Sequence, residues 1–176
     1  MMTDIIFLEF PTLSREVEAK EFIDECYAYD SAIHGTGGLD NIQSYSEWVQ
    51  KTEDYHNEIN VNINHAPATT YFVVRKSDNK VVGMVNIRHF LNDFLITKGY
   101  GHIGYSIRPK ERRKGYATKM LALALEKCRK RNITTVHVGC DEVNIGSTRT
   151  IENNGGVLYR KLDDNGIPYL EFTIEI

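Results

Sequence analysis

Hydrophobic residues recur with two different periods along this chain, and the two periods separate its helices from its strands. Between Gly115 and Arg131 they are three and four positions apart, at Ala117, Met120, Leu121, Ala124, Leu125 and Cys128. This stripe predicts a helix with one buried face. A similar pattern predicts helices in SREVEAKEFIDECYAY (14–29), which Ser14 would cap, and in SYSEWVQKTEDYH (44–56).

Runs of β-branched and aromatic residues predict seven strands. They are DIIFLEF (4–10), TTYFVVRK (69–76), KVVGMVNIRHF (80–90), YGHIGYSIRP (100–109), ITTVHVGC (133–140), GGVLYRKL (155–162) and PYLEFTIEI (168–176). A fourth helix is predicted in NIGSTRTIENN (144–154), begun by Asn144 or Asp141. The alternation of strand and helix from residue 100 onwards predicts a locally parallel sheet in one mixed α/β domain.

Composition narrows the class of protein but not its activity. The chain has 176 residues, of which 41% are hydrophobic and 26% charged, as in an ordinary globular domain. Its three cysteines are far apart, in no spacing typical of a disulfide framework or a zinc site. We see no signal peptide and no long apolar run. We therefore expect a cytoplasmic protein without a metal and without a membrane partner.

Charge is unevenly distributed between the two halves of the chain. Residues 1–98 carry fifteen acidic and eight basic side chains, whereas residues 99–176 carry nine and thirteen. The balance is therefore −7 in the first half and +4 in the second. The basic half would favour an anion and the acidic half a cation, although solvated surfaces also produce such differences by chance.

The stretch IRPKERRKGYATKML (107–121) has the chemistry of a phosphate site. Basic residues precede Gly115 at the predicted start of a helix, where free N–H donors and a partial positive charge attract anions. The glycine allows close approach of a ligand to the backbone. No P-loop is present, and GTGG (35–38) is neither a complete dinucleotide fingerprint nor placed after a strand, so it is interpreted as a turn.

The motif RRKGYA resembles the [Q/R]-x-x-G-x-[G/A] signature of the GNAT superfamily of acyl-CoA-dependent N-acyltransferases, with Arg112, Gly115 and Ala117 in the defined places. Asn144 and Ser147 resemble the second motif of that family. The resemblance implies a single N-acetyltransferase domain over residues 1–176. It also implies an α/β (mixed α+β) GNAT-like fold, with a central mixed twisted sheet of about seven strands flanked by about four helices.

The resemblance further implies acetyl-CoA as co-substrate and a set of residues that bind it. Backbone N–H groups would bind the pyrophosphate, with Arg112 or Arg113 side chains helping; they belong to Arg113, Lys114, Gly115, Tyr116, Ala117 and Thr118. Ile107 and Arg108 would pair with the pantetheine amides and polarise the thioester carbonyl. Asn144 and Ser147 would flank the pantetheine arm. The alternative is that the basic residues only solvate a loop and Asn144 only caps a helix.

His102 is the candidate general base, because imidazole can accept the proton of an amine at neutral pH. Strand alternation places it on one face with Gly104 and Ser106, where two small residues would leave room for a substrate. A purely structural histidine is an equal alternative. His89 is the second candidate, and His137 is expected to face the core.

The usual general acid of the family is absent. Many members have a tyrosine four residues after the small residue of the second motif, where this chain has Ile151. The motif also ends in Gly155-Gly156 instead of the usual Gly-Phe. Either Tyr105 or Tyr159 would serve as the acid, or the thiolate would leave unassisted, since its thiol has a pKa of about 8.5.

The acceptor side would be formed by residues 30–65, again by resemblance. His34, Asp40, Tyr45, Glu47 and Trp48 offer a set that would hold an amine beside an aromatic face, but Tyr45 and Trp48 are equally well explained by helix packing. Asp141 and Glu142 would hold a cationic amine or cap the helix that follows.

The sequence thus favours an acetyl-CoA-dependent N-acetyltransferase. Its acceptor would be a primary amine of a small molecule, an amino acid derivative or a peptide. The alternative is a non-catalytic acyl-CoA sensor with the same fold. Nucleic-acid binding is disfavoured, because the chain is acidic overall and its basic run is broken by Glu111 and Pro109. A homodimer is compatible with either function.

Overall fold

The computed structural model describes residues 4–176, with only the backbone at Asp164. Its strands are β1 (Ile6–Glu9), β2 (Ala68–Arg75), β3 (Lys80–Arg88), β4 (Ile103–Ile107), β5 (Thr135–Asp141), β6 (Val157–Asp164) and β7 (Ile167–Glu175). Its α-helices are α1 (Glu16–Ala28), α2 (Tyr45–His56), α3 (Asp93–Lys98), α4 (Tyr116–Lys130) and α5 (Ile145–Glu152). The mixed α/β class and the seven predicted strands are confirmed.

The strands form two antiparallel sheets instead of one continuous sheet. The first has the order β1-β2-β3-β4 and the second the order β5-β7-β6. The sheets meet where the N–H of His102, just before β4, donates to the carbonyl of His137 in β5 at 2.7 Å. Within the described residues no ladder joins β4 to β5. A gap between these strands is therefore a property of the fold.

The two faces of the first sheet are covered by different helices. Helices α1 and α2 pack on one face, through Phe22, Trp48, Phe72 and Met84 among others. Helix α4 buries the predicted stripe on the other face, where Met120, Leu121 and Leu125 contact residues of both sheets. One helix thus bridges the two sheets on the side opposite α1 and α2.

Two details of the helices differ from the sequence prediction. Helix α3 lies where no helix was expected; the Asn92 side chain caps its start by accepting from the N–H of Leu95, and Gly99 ends it with φ of 72°. Ser14 does not cap α1, which begins after a 3₁₀ turn with Arg15 at the N-cap and no side-chain capping bond. The hydroxyl of Ser14 instead bonds to that of Thr12.

Cys26, Cys128 and Cys140 are all buried free thiols. In the part of the chain that the structure describes, no helix is long and apolar enough to cross a membrane. Among the same residues, no group of three or more His, Cys, Asp or Glu side chains is arranged to hold a metal ion.

Candidate active site

The loop before α4 presents a row of backbone N–H groups. Arg113 and Gly115 both have positive φ, of 60° and 79°, and so turn successive N–H groups toward one side of the loop. Helix α4 begins at Tyr116, and its first bond back to the loop is from the N–H of Lys119 to the carbonyl of Gly115. Within residues 4–176 no acceptor is bonded to the N–H groups of residues 113–118. Six donors are therefore free to bind one anion.

The basic side chains of this loop are not equivalent. Lys114 donates to Glu111 at 2.8 Å, and Lys110 lies over the ring of Tyr29 at 6.0 Å. Arg112 donates from Nε to the carbonyl of Ile107 at 3.0 Å and also to Ser31. The exposed Arg113 side chain has no such partner among the described residues. Of the predicted cluster, Arg113 is thus the guanidinium with its donors free for a phosphate.

The backbone N–H and C=O groups of β4 point alternately toward β3 and toward the gap. Arg108 donates its N–H to Val82 of β3 at 2.8 Å, and its side chain is buried against Glu25 at 2.8 Å. Arg108 therefore does not present its N–H to the gap, contrary to expectation. The register with β3 makes Tyr105 and Ile107 the residues whose backbone groups point away from β3. These two positions can pair with an extended ligand in the gap.

Tyr105 projects to the α4 and α5 side of the sheet. Its hydroxyl oxygen is buried and, within the described residues, has no hydrogen-bond partner. Burial raises the pKa of Tyr105 to about 12, although the nearby Ser147 and Thr150 hydroxyls oppose the increase. Neither of these two hydroxyls is in hydrogen-bonding geometry with the Tyr105 hydroxyl. A buried donor without an acceptor is uncommon, and this one lies near Ser147, the residue predicted to flank the pantetheine arm.

The start of α5 contributes the other predicted contacts. The Asn144 side-chain oxygen accepts from the N–H of Ser147 at 3.1 Å, which is the helix-capping role weighed as the alternative. The amide nitrogen of Asn144 is exposed with the rest of its side chain and stays available to a ligand. Ile151 is fully buried in the main core. The position of the usual family tyrosine is therefore a core position here.

His102 is held in a way that limits its use as a base. Its Nδ1 accepts from the backbone N–H of His137 at 3.0 Å. In the neutral ring the hydrogen must then be on Nε2, so that the ring offers a donor and no free lone pair. Burial lowers the pKa of His102 to about 4, and the neighbouring His137 and the charge of Arg88 act in the same direction. His102 is thus neutral at physiological pH.

His137 forms a dyad with a buried carboxylate, which the sequence interpretation missed. It faces away from the core, contrary to expectation, and its Nδ1 lies 2.7 Å from Oε1 of Glu171 in β7. The second oxygen of Glu171 accepts from Arg160 at 2.5 Å, and Glu171 is 4% exposed. A carboxylate only accepts, so Nδ1 of His137 carries a hydrogen, and in the neutral ring Nε2 then keeps a lone pair. Val136 and Val138, buried on the opposite face, were the signal for this orientation.

The face of β4 that was predicted to form a substrate slot is covered by the loop after α1. The N–H of His34 donates to Ser106 at 2.8 Å, and Gly35 packs directly on Gly104. The small residues of β4 therefore accommodate backbone. This contact places residues 34 and 35, part of the predicted acceptor region 30–65, against β4.

Other predicted residues have mainly structural contacts. Tyr45 donates to the carbonyl of Thr12, and the indole of Trp48, 1% exposed, donates to that of Thr36. Their packing role is therefore the one observed. Five remaining candidates have contacts of their own: Asp40 accepts from Thr36, Glu47 is exposed, His89 bonds to Thr69 and Glu58, Asp141 ends β5, and Glu142 pairs with Lys161. Tyr159 is different, because its ring centroid lies 5.6 Å from that of His137.

A family model for the acetyltransferase (GNAT) family matches residues 36–155, which span α2 to α5 and include the loop, the gap and the dyad histidine. The chain belongs to the GNAT family. Membership confirms the resemblance carried by RRKGYA and supports an acyltransferase. No curated protein matches the chain.

Solved GNAT structures share the fold across nearly the whole chain. Ribosomal-protein-S5-alanine acetyltransferase from Vibrio fischeri superposes with a TM-score of 0.73 at 13% identity, covering 99% of this chain and 95% of its own. The ribosomal L7/L12 alpha-N-protein acetyltransferase RimL, in complex with coenzyme A, superposes with a TM-score of 0.72 at 16% identity, covering 99% of this chain and 96% of its own. YncA from Salmonella typhimurium, described as an acetyltransferase and determined with acetyl-CoA, superposes with a TM-score of 0.67 at 11% identity. The match covers 97% of this chain and 93% of its own. At these identities the likeness shows the fold alone.

Proposed function

We propose that the protein is an acetyl-CoA-dependent N-acetyltransferase that modifies a primary amine of a small molecule, an amino acid derivative or a peptide. The observation that carries the proposal is the row of six free N–H groups of residues 113–118, next to the gap between β4 and β5. GNAT structures of the same fold have been determined with coenzyme A and with acetyl-CoA, which supports the proposal.

The residues around the gap fit the parts of coenzyme A. The six N–H groups and the Arg113 guanidinium suit a pyrophosphate, which is doubly anionic and rich in acceptors. Backbone groups of Tyr105 and Ile107 suit the amides of the pantetheine arm, and Asn144 and Ser147 lie on the other side of the gap. Lys114 and Arg112 would bind only by exchanging the partners they have in the structure. The coenzyme would supply the acetyl group as a thioester.

Two imidazoles divide the proton chemistry at the end of the gap where β4 and β5 meet. Their ring centroids are 5.9 Å apart. Nε2 of His137 has the lone pair that can take the proton of the amine, and Glu171 orients the ring and stabilises the charge it gains. His102, the base predicted from the sequence, presents Nε2–H and is better suited to donate a hydrogen bond. We therefore place the base at His137 and keep His102 as the alternative.

Tyr105 is the proposed partner of the leaving sulfur. Its pKa of about 12 keeps the hydroxyl protonated at neutral pH. Complete proton transfer to a thiolate with a thiol pKa of about 8.5 is uphill. Tyr105 would therefore stabilise the departing thiolate mainly by donating a hydrogen bond, for which its hydroxyl has no competing partner in the described residues.

A non-catalytic acyl-CoA sensor is the second candidate function. The observation in its favour is Ile151, a core residue at the place of the usual tyrosine. The sensor and the enzyme make the same prediction for coenzyme binding and differ in turnover. The His137–Glu171 dyad has no evident use in a sensor, so we favour the enzyme.

The test begins with thermal-shift titrations of the wild-type protein with acetyl-CoA, with ATP and NAD as controls. A ligand that binds only the folded state stabilises it by about 2.7 kcal/mol at a hundredfold excess over its dissociation constant. Stabilisation by acetyl-CoA alone supports the coenzyme site. Equal stabilisation by ATP, or none by acetyl-CoA, would contradict it.

Turnover is then measured as thiol release with a panel of amines, in the wild type and in matched histidine variants. We expect His137→Gln to lower kcat by about a hundredfold or more, the usual contribution of a general base, without weakening acetyl-CoA binding. His102→Gln should cost less. The reverse order would return the base to His102, and no release with any amine would favour the sensor.

A further inference from the structure

Arg88, the last residue of β3, is a partly buried cation. One of its guanidinium nitrogens donates to the carbonyl of Gly101 at 2.5 Å. No carboxylate within the described residues pairs with it, and its other guanidinium donors have no protein acceptor there. Several other arginines of the chain do contact carboxylates: Arg15, Arg75, Arg108 and Arg160.

This arrangement is unfavourable for the protein alone. Burial lowers the pKa of Arg88, and the nearby Tyr169 and Tyr100 only oppose that effect in part. An arginine nevertheless stays protonated in proteins, so the charge is kept where its solvation is incomplete. Burying a charge is costly unless it is paired and hydrogen-bonded. An anion supplied from outside would complete the site.

Arg88 lies on the acceptor side of the sheet, beside the proposed proton chemistry. It follows Met84 and Asn86 on the face of β3 that α1 and α2 cover. Its positive charge contributes to the low pKa of His102 and of His65. Arg88 is therefore close to the imidazole that bonds to His137, and it is on the opposite side of the sheet from α4.

Two tyrosines complete the surroundings of this guanidinium. Tyr169 of β7 lies over β5, because a Cβ added to Gly139 would meet the Tyr169 hydroxyl at 2.3 Å. Tyr100 precedes Gly101 and is 38% exposed. Both tyrosines are near enough to Arg88 to influence its pKa, and a tyrosine hydroxyl can donate to an anion. The group of Arg88, Tyr100 and Tyr169 thus consists of donors at the edge of the acceptor site.

We propose that Arg88 binds a carboxylate of the acceptor, so that the acceptor is an amine that also carries a carboxylate, such as an amino acid or a short peptide. This inference rests on the proposed function, because it assumes that the amine enters beside His102 and His137. The guanidinium matches the planar, two-oxygen geometry of a carboxylate, with Tyr100 and Tyr169 as further donors. An acceptor that is only cationic would meet a positive charge here and be disfavoured.

The test compares binding of acids with their amides, which requires no turnover. N-acetylated amino acids and N-acetylated dipeptides, each with its C-terminal amide as partner, are titrated calorimetrically into the wild-type protein saturated with coenzyme A. We expect at least one free acid to bind about tenfold or more tightly than its amide, the factor of a charge-assisted bond. The preference should disappear in Arg88→Met and be reduced in Arg88→Lys, which keeps the charge but not the planar fork.

Lys161→Met is the matched control, because it removes an exposed cation from β6 that pairs with Glu142 on the surface. It should keep the full preference. If Arg88→Met does not fold, Arg88→Lys and the wild-type acid-to-amide ratio decide the question. A wild type that binds acids and amides equally, or a preference that survives in Arg88→Met, would overturn the proposal.

Failure of the proposed function would give a different experimental result from failure of this inference. Absence of acetyl-CoA binding would remove the coenzyme site itself. Normal acetyl-CoA binding and thiol release, with no preference for carboxylate-bearing ligands, would remove only the role of Arg88. Acetyl-CoA affinity is therefore measured for every variant, and we expect Arg88→Met to leave it unchanged.

Discussion

Replacement of Glu111 by glutamine should destabilise the protein in a manner that depends on pH. Glu111 lies in the basic loop, but its side chain is only 5% exposed. One carboxylate oxygen accepts from Arg75 at 2.7 Å and from Lys114 at 2.8 Å, and the other accepts from Lys80 at 3.1 Å. A neutral amide would leave three cations around a group that can no longer compensate them.

The size of the effect follows from the pKa of Glu111. Burial alone would raise it, but the bonds from Lys114, Arg75 and Lys80 prevail and lower it from 4.5 to about 2. At about 1.4 kcal/mol per pKa unit, this difference corresponds to about 3 kcal/mol of folding free energy. Breaking a buried ion pair by removing one partner costs about 3–5 kcal/mol in other proteins, which agrees.

The sign of the pH dependence follows from the lowered pKa. The stabilisation by Glu111 is complete above the unfolded-state pKa of 4.5 and is lost as the pH falls toward about 2. The difference between wild type and Glu111→Gln should therefore be about 3 kcal/mol at neutral pH and less than half of that at about pH 3.

Urea unfolding at several pH values measures this difference directly. Glu126→Gln is the control, because Glu126 is an exposed carboxylate on α4. It should change the unfolding free energy by less than about 0.5 kcal/mol at every pH. A Glu111→Gln effect that is equally small, or that does not decrease with falling pH, would show that the three cations do not stabilise the fold through this carboxylate.

Three further substitutions test single features of the site. Tyr105→Phe should slow thiol release while leaving the melting temperature unchanged or raised, because the hydroxyl makes no bond that folding would lose; a clear loss of stability would reveal a hidden partner. Gly115→Ala should cost about 1 kcal/mol in urea unfolding and weaken acetyl-CoA binding, since φ is 79° there; wild-type behaviour would mean that the loop is not held in this conformation. Arg113→Met should weaken acetyl-CoA binding, measured by calorimetry, by about tenfold, the value of a charge-assisted bond. Lys110→Met should weaken it less, and equal effects of the two variants would indicate only a general electrostatic attraction by the loop.

Hydrophobic periodicity predicted most of the fold, because each buried face is repeated along its element. Helix α3 was missed because its six residues are too short for a period to appear. Its capping residues, Asn92 and Gly99, were nevertheless visible in the sequence. The split into two sheets was not predictable from element order, since it depends on whether β4 and β5 form a ladder.

The candidate coenzyme site could be proposed from the sequence, because a glycine and basic residues before an amphipathic helix form a local pattern. Which basic side chains are free to bind a ligand could not be predicted, because it depends on residues that are distant in sequence. Lys114 is neutralised by Glu111, whose other partners, Arg75 and Lys80, come from the β2–β3 hairpin. Only the folded structure leaves Arg113 as the free guanidinium.

The proposed proton chemistry depends on which nitrogen of each imidazole is already hydrogen-bonded, and the sequence does not contain that information. His102 was selected by strand alternation, and its face was correct. Its lone pair is used by the backbone of His137, whose own ring is oriented by a residue 34 positions away, Glu171. Alternation in β5 would have placed His137 opposite Val136 and Val138, so its orientation could have been predicted and its partner could not.

Amide hydrogen exchange with and without acetyl-CoA tests the central claim most directly. In the free protein the N–H groups of residues 113–118 have no acceptor within the described chain and should exchange rapidly. Saturation with acetyl-CoA should slow exchange in this segment, and Gly115→Ala should weaken that protection. Unchanged exchange at residues 113–118 in a protein that binds acetyl-CoA would show that the pyrophosphate is held elsewhere.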